Sequence, residues 1–251
     1  MARAGTPVPQ EPSHKTHNII MTTIDFDTNP TVPVREYDEI ARIALPGYEA
    51  MHTMALSILK SQLPKTANLL IVGAGTGMEI VRYSQGNPEW HFMGIDPSAN
   101  MLEIARKKIQ SSNISEQVTL HQSYTNDLPS TPLYDAATSI LVMHFIPDED
   151  KLGFLQSIAQ RLKQGAPFIL VDIFGEKGTP EFERTLSFMQ SYWQEMGRTE
   201  ENIQEMMTTI NKGVYTISEA RVYELLQQAG FTNVTKFYTG IWVGGWVAYH
   251  M

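Results

Sequence analysis

Asn68-Leu69-Leu70-Ile71-Val72-Gly73-Ala74-Gly75-Thr76-Gly77-Met78 is the stretch on which the fold turns. Four aliphatic residues run without a polar break into three glycines spaced two apart. Such a run suits a strand buried on both faces of a parallel sheet. Glycines directly after it let the backbone turn sharply and come close to a ligand. A helix starting behind the loop offers free N–H groups to a carboxylate or phosphate. The dinucleotide fingerprint G-x-G-x-x-G needs a third glycine where Met78 stands, so this spacing points to an amino-acid-like ligand tail. Taken alone, the glycines also fit an ordinary tight turn.

Downstream, strands and helices alternate. Trp90–Ile95, Val118–Gln122, Tyr134–Val142 and Pro167–Phe174 read as strands, and Met78–Gln85, Ala99–Ser111 and Asp148–Leu162 as helices. That rhythm predicts a doubly wound parallel sheet. Asp96 ends the second strand about twenty residues past the glycines, the spacing at which an acid accepts ribose hydroxyls. Its alternative role is a helix cap beside Pro97. Met101 is placed either on an adenine face or in the core. From Gly175 to Gly213 the rhythm breaks into two helices carrying Phe182, Leu186, Met189, Trp193 and Met196 at helical spacing. These predict a cap over the strand ends. A helix over Ser218–Gln228 and strands Val234–Tyr238 and Trp242–Tyr249 close the chain, the last pair as a hairpin with one antiparallel strand. Gly244-Gly245 suggests a bulge in the final strand.

Upstream of the glycines, apolar residues between Val34 and Leu63 recur at helical spacing, and Pro46-Gly47 breaks them into two helices. Residues 1–20, with Pro7, Pro9 and Pro12, lack the apolar core of a signal peptide and read as a flexible tail, with Met21 a second candidate start. The expected divisions are a tail over 1–20, a helical lid over 21–66, a core over 67–174, a cap over 175–213 and a closing unit over 214–251. The net charge of -8 disfavours a large nucleic-acid footprint. With no cysteines, disulfides, thiolate metal sites and cysteine nucleophiles are excluded. The seven histidines form no ligand spacing, so no metal is expected. No apolar run reaches bilayer length, and a cytoplasmic protein is expected.

Val72 to Gly77, Gly94-Ile95-Asp96-Pro97-Ser98 with Met101-Leu102, Asn126-Asp127-Leu128-Pro129, Tyr134-Asp135 and Arg161-Leu162-Lys163-Gln164-Gly165 together resemble the class I S-adenosylmethionine (SAM)-dependent methyltransferases. The resemblance runs from Leu69 to the C-terminus. It implies a Rossmann-like, seven-stranded, mostly parallel sheet with its last strand antiparallel. It also implies that Gly73, Ala74, Gly75, Thr76 and Gly77 hold the methionine part of SAM, Asp96 the ribose and Met101 the adenine, with Pro97 and Ile140 also at the cofactor. Two positions depart from the family. Ile71 stands where an acid often bonds the cofactor ammonium. Tyr124 stands where an Asp often bonds the adenine, which leaves that recognition to Ser123 beside it or to main-chain groups, with both residues expected at the cofactor.

Methyl transfer is an in-line displacement in which positioning supplies much of the acceleration, and a hydroxyl or ammonium nucleophile needs a base. His144, after the fourth strand, is the first candidate. The alternative is a structural histidine. Asp172 reads as a buried polar group paired locally. Tyr37, beside Asp38, is a second catalytic candidate from the lid. Trp193, Tyr192 and Tyr215 are aromatic candidates for the acceptor pocket, or simply pack the cap.

Tyr37-Asp38-Glu39, Leu45-Pro46-Gly47-Tyr48, Gly230-Phe231 and Val243 to Ala248 are similar to the carboxy-SAM synthases of the tRNA wobble-uridine pathway. An added carboxylate must meet a cation, and a cap arginine is the suitable one. Here the corresponding Ile203-Gln204-Glu205-Met206-Met207 holds none, leaving Arg198 or Arg184 as substitutes. The expectation is therefore a SAM-dependent methyltransferase acting on a small-molecule acceptor, with Trp193, Tyr192 and Arg198 at the acceptor, no nucleic-acid or membrane partner, and a cap of a kind that often forms homodimers. A carboxy-SAM synthase, or a SAM-binding protein without turnover, is the alternative. A nicotinamide-dependent dehydrogenase is disfavoured by Met78.

Overall fold

The computed structural model describes residues 26–28, 30 and 33–251. The expected tail over 1–20 and the candidate start at Met21 lie outside these residues. Two helices come first, α1 (Tyr37–Ala44) and α2 (Tyr48–Gln62), broken as expected at Pro46-Gly47, where Gly47 takes a φ of 70°. Then follow β1 (Ala67–Val72), α3 (Met78–Ser84), β2 (Trp90–Asp96), α4 (Ala99–Ser111), β3 (Val118–Gln122), β4 (Ala136–Ile140), α5 (Asp148–Ala159) and β5 (Pro167–Ile173). The cap is α6 (Pro180–Glu195) and α7 (Glu200–Gly213). The chain closes with α8 (Glu219–Gln228), β6 (Phe231–Gly240) and β7 (Val243–His250).

The strands form one sheet in the order β3-β2-β1-β4-β5-β7-β6. β7 runs antiparallel to both β5 and β6, and the other neighbouring pairs are parallel. Side chains alternate across the sheet, so Leu69 and Ile71 enter one core with Met51, Ala55, Leu59 and Trp193, while Leu70 and Val72 enter another with Leu155, Leu225 and Leu226. Each fully buried Leu or Ile contributes roughly 1.5–3 kcal/mol. The order reverses between β1 and β4, and ligands of open α/β sheets bind at the C-terminal strand ends beside that switch.

Two expectations about strands change. β4 is shorter than Tyr134–Val142: Tyr134 makes only an isolated bridge to Leu162, and Leu141 turns left-handed with φ 62°. The bulge falls on β6, not at Gly244-Gly245. β7 pairs with β5 in unbroken register through both glycines, while the register shifts against β6 between Thr232 and Thr235 and between Lys236 and Tyr238. The glycines make room for aromatics instead. A Cβ on Gly245 would stand 2.8 Å from the Phe237 ring. Among the described residues, no helix is long and apolar enough to cross a membrane.

Candidate active site

The loop between β1 and α3 is closed by its own backbone. Gly73 and Ala74 donate N–H bonds to the Ile95 carbonyl at 2.9 and 2.8 Å, and Gly77 donates to Ala74 at 2.9 Å. Gly73, Gly75 and Gly77 have φ of 73°, 51° and 78°, a region in which side-chain-bearing residues are strained. Two of them also leave little room for a Cβ. At Gly73 it would collide with Val142, and at Gly77 it would stand 3.0 Å from Ala105. At Gly75 it meets nothing nearer than the Gly73 carbonyl at 3.9 Å, so it would project into the concavity of the loop. That concavity fits a ligand tail.

Asp96 faces the loop. One carboxylate oxygen accepts the Gly75 N–H at 2.9 Å and the other the Ser98 N–H at 2.9 Å. Burial pushes this carboxyl above its ordinary value, while the two N–H donors pull it down and Asp27 pushes it up. Asp27 comes from a segment that sequence reasoning passed over. Its carboxylate accepts the Ser98 hydroxyl at 2.6 Å and the Ala99 and Asn100 N–H groups at 2.9 Å, capping the start of α4. Burial raises the Asp27 carboxyl, but those three donors outweigh it and hold it below the usual value.

At the ends of β4 and β5 lies a second buried group. His144, 6% exposed, sits in a 3-10 turn over Met143–Phe145. Its Nδ1 is 2.5 Å from Asp172 Oδ1, and its backbone N–H donates to Asp172 Oδ2 at 3.0 Å. The Ile173 N–H also donates to Asp172, at 2.7 Å. Asp172 is thus not a local polar residue of β5 alone but a bidentate partner of His144, 28 positions away. Beneath the turn lies Lys151, fully buried, whose Nζ donates to the Met143 and Ile146 carbonyls at 2.6 Å each. Burial pushes this amine down to about 8, while Asp172, Asp148 and Glu149 pull it up.

The N-terminal helices lie over both groups. Asp38 accepts the Thr76 hydroxyl at 2.5 Å and pairs with Lys108, fastening α1 to the glycine loop and α4. Phe26 packs edge-on against Tyr37 and against Phe145, with ring centroids 5.7 Å apart in each case. Burial raises the Tyr37 phenol most, and Tyr48, Asp96, Asp38 and Asp172 raise it further. The charge of Asp96 and that of Asp172 are therefore both felt at Tyr37, and Phe26 links its ring to Phe145, the neighbour of His144.

The remaining candidates scatter. Met101 and Ile140 are buried, Pro97 and Tyr124 are exposed, and the Ser123 hydroxyl is shielded without a partner. Trp193 is fully buried, donates its indole N–H to the Ala44 carbonyl at 3.0 Å and packs on Trp242. It joins cap to α1. Tyr192 packs against the same core. The N–H of Tyr215 donates to the His144 carbonyl at 2.7 Å. Arg198 keeps a shielded Nε without a partner. Lys151 was missed because a lysine on an amphipathic helix reads as solvated.

A methyltransferase-domain family profile matches residues 69–165, from the first strand through the glycine loop and past α5. The chain is 24% identical over 210 residues to a carboxy-S-adenosyl-L-methionine synthase from Staphylococcus epidermidis, covering 81% of this chain and 87% of that one. It is 25% identical over 219 residues to a demethylmenaquinone methyltransferase from Lactobacillus johnsonii, covering 81% and 87%. The structure of magnesium protoporphyrin IX methyltransferase from Synechocystis PCC 6803, solved with bound S-adenosylhomocysteine, superposes with a TM-score of 0.59 at 16% identity, covering 82% of this chain and 84% of that one. At that identity the likeness concerns the fold. Profile, strand order and loop agree that the chain carries the methyltransferase domain of the class I SAM-dependent enzymes, with SAM as its cofactor.

Proposed function

We propose that the enzyme methylates a small-molecule acceptor held between the N-terminal helices and the α6–α7 cap, with His144 as the proton acceptor. The observation that carries this reading is the buried His144–Asp172 pair at the ends of β4 and β5. A carboxylate at Nδ1 keeps the proton there and leaves Nε2 with its lone pair. Bound SAM supplies an electrophilic methyl on a sulfonium. The glycine loop from Gly73 to Gly77 cradles the methionine part, and Asp96 accepts the ribose hydroxyls. His144 Nε2 takes the proton that the acceptor loses. Tyr37, whose phenol is held protonated by burial and its acidic neighbours, serves as a donor and not as a base. Closure by Phe26, Tyr37 and Phe145 excludes water from a reactive sulfonium.

The net charge of -8 supports a small acceptor over a nucleic acid. Phe188 and Met196, exposed on the cap, suit a homodimer contact, and a cytoplasmic setting belongs to the same reading. The test is methyl transfer from labelled SAM to a fractionated pool of small metabolites. His144→Gln should lower kcat by about 10²–10⁴ with SAM affinity intact. An unchanged kcat would remove the base assignment.

The competing reading is a carboxy-SAM synthase. Arg198 favours it, since a shielded guanidinium nitrogen without a partner is suited to a carboxylate. Against it, α7 holds no arginine and Glu205 is exposed there. Incubation with SAM and prephenate decides between them: protein-dependent accumulation of carboxy-SAM by mass would overturn the methyltransferase.

A further inference from the structure

SAM carries an ammonium group, and burying a cation without a partner is costly. The family position for an acid, two residues before Gly73, holds Ile71. The acids that surround the loop are already engaged. Asp96 accepts from Gly75 and Ser98, Asp38 from Thr76 and Lys108, Asp172 from His144 and Ile173, and Asp27 from Ser98, Ala99 and Asn100. Glu79 differs. It is 8% exposed, in the first turn of α3 two residues past Gly77, and its Oε1 is shielded from solvent with no hydrogen bond. Among the described residues it is the one carboxylate with such an oxygen.

Its place on α3, against the sheet, is suited to the task. Glu79 stands near Thr138, whose hydroxyl is shielded from solvent too. Thr138 is the β4 register partner of Ile71, so the Glu79 carboxylate packs beside the position where the acid is missing. With the nucleoside at Asp96 on β2 and the methyl directed to His144 after β4, the methionine tail must cross the β1–β4 gap. Glu79 lies on that flank. Tyr83 and His52 beside it, from α3 and α2, also keep shielded polar atoms without partners. We propose that Glu79 is the anion that meets the ammonium group of SAM, replacing the acid absent at Ile71. This rests on the cofactor placement proposed above and is independent of the acceptor and of His144.

Burial pushes the Glu79 carboxyl up to about 7, with the Thr138 hydroxyl pulling against it. A cation beside it favours the ionised form, so SAM binding near pH 7 releases a proton. The experiment is calorimetry at pH 7 in buffers of different ionisation enthalpy, using SAM and 5′-methylthioadenosine, which keeps the nucleoside and thioether but lacks the ammonium and carboxylate. Glu79→Gln is expected to weaken SAM tenfold or more, to leave methylthioadenosine within about twofold, and to abolish proton release. Glu79→Asp should recover most of the SAM affinity. Unchanged SAM affinity in Glu79→Gln, or an equal loss for both ligands, would overturn the proposal. If that variant does not fold, wild-type proton release decides: release with SAM and not with methylthioadenosine supports it, and no difference overturns it. Asp96→Ala should weaken both ligands, and its failure to do so would count against the placement, not against Glu79.

Discussion

At the scale of single residues, Asp96 has one observed task and one proposed. It accepts N–H bonds from Gly75 and Ser98, which fix the loop, and each oxygen keeps a lone pair for a ribose hydroxyl. Asp96→Ala is expected to weaken SAM binding by roughly 1–3 kcal/mol, read by calorimetry. An unaltered affinity would remove the ribose assignment. Glu79 makes a prediction on the ligand-free protein. Its folded value of about 7 lies above the ordinary 4.5. Below pH 4.5 both states hold the proton. Between 4.5 and 7 the unfolded chain releases it and the folded one keeps it, so stability falls as pH rises, by up to about 3 kcal/mol. Glu79→Gln should therefore be more stable than wild type at pH 8 and about equal near pH 4, by denaturant titration. His52 acts in the opposite sense. Burial lowers it to about 4 from 6.5, so its contribution is lost as pH falls through that window, and the wild-type profile is flatter than either residue alone would make it.

At the scale of elements, the turn over Met143–Phe145 is held from two sides. Asp172 takes the backbone N–H and ring of His144, and Lys151 takes the carbonyls of Met143 and Ile146. Lys151→Ala removes a fully buried side chain and leaves two carbonyls unmatched, an expected loss of about 2–4 kcal/mol measurable by chemical unfolding. A change within 0.5 kcal/mol would show that the turn stands without it. The elements themselves were largely legible. Apolar runs and glycines placed β1, α3, β2 and α4 within a residue or two. β4 was overread because Leu141 leaves the extended region, and nothing in an apolar tripeptide signals a left-handed residue.

On the scale of the whole molecule, Trp193 joins α6 to α1. It is fully buried, bonds the Ala44 carbonyl and packs on Trp242, just before β7. Trp193→Ala should cost about 3–5 kcal/mol. The opening should be local first, so amide exchange in α6 and α7 should rise well before that of β1, β4 and β5. Uniform acceleration through the sheet would show instead that cap and core unfold as one unit.

What the sequence determined by itself was whatever a few neighbouring residues decide. Unbroken apolar runs and period-3.6 apolar spacing set strand against helix, three glycines set the loop, and an acid at the end of β2 marked the candidate ribose position. Their physics is local, so they could be read in order along the chain. Tertiary structure alone decided which polar groups meet. Asp27 reaches Ser98 across 71 positions, Lys108 reaches Asp38 across 70, Trp193 reaches Ala44 across 149, and Asp172 reaches His144 across 28. The worth of a buried polar side chain depends on whether a partner is within hydrogen-bond reach. Only the closed fold sets that distance, which is why Asp172 and Lys151 looked ordinary in the sequence and stand around His144 in the structure.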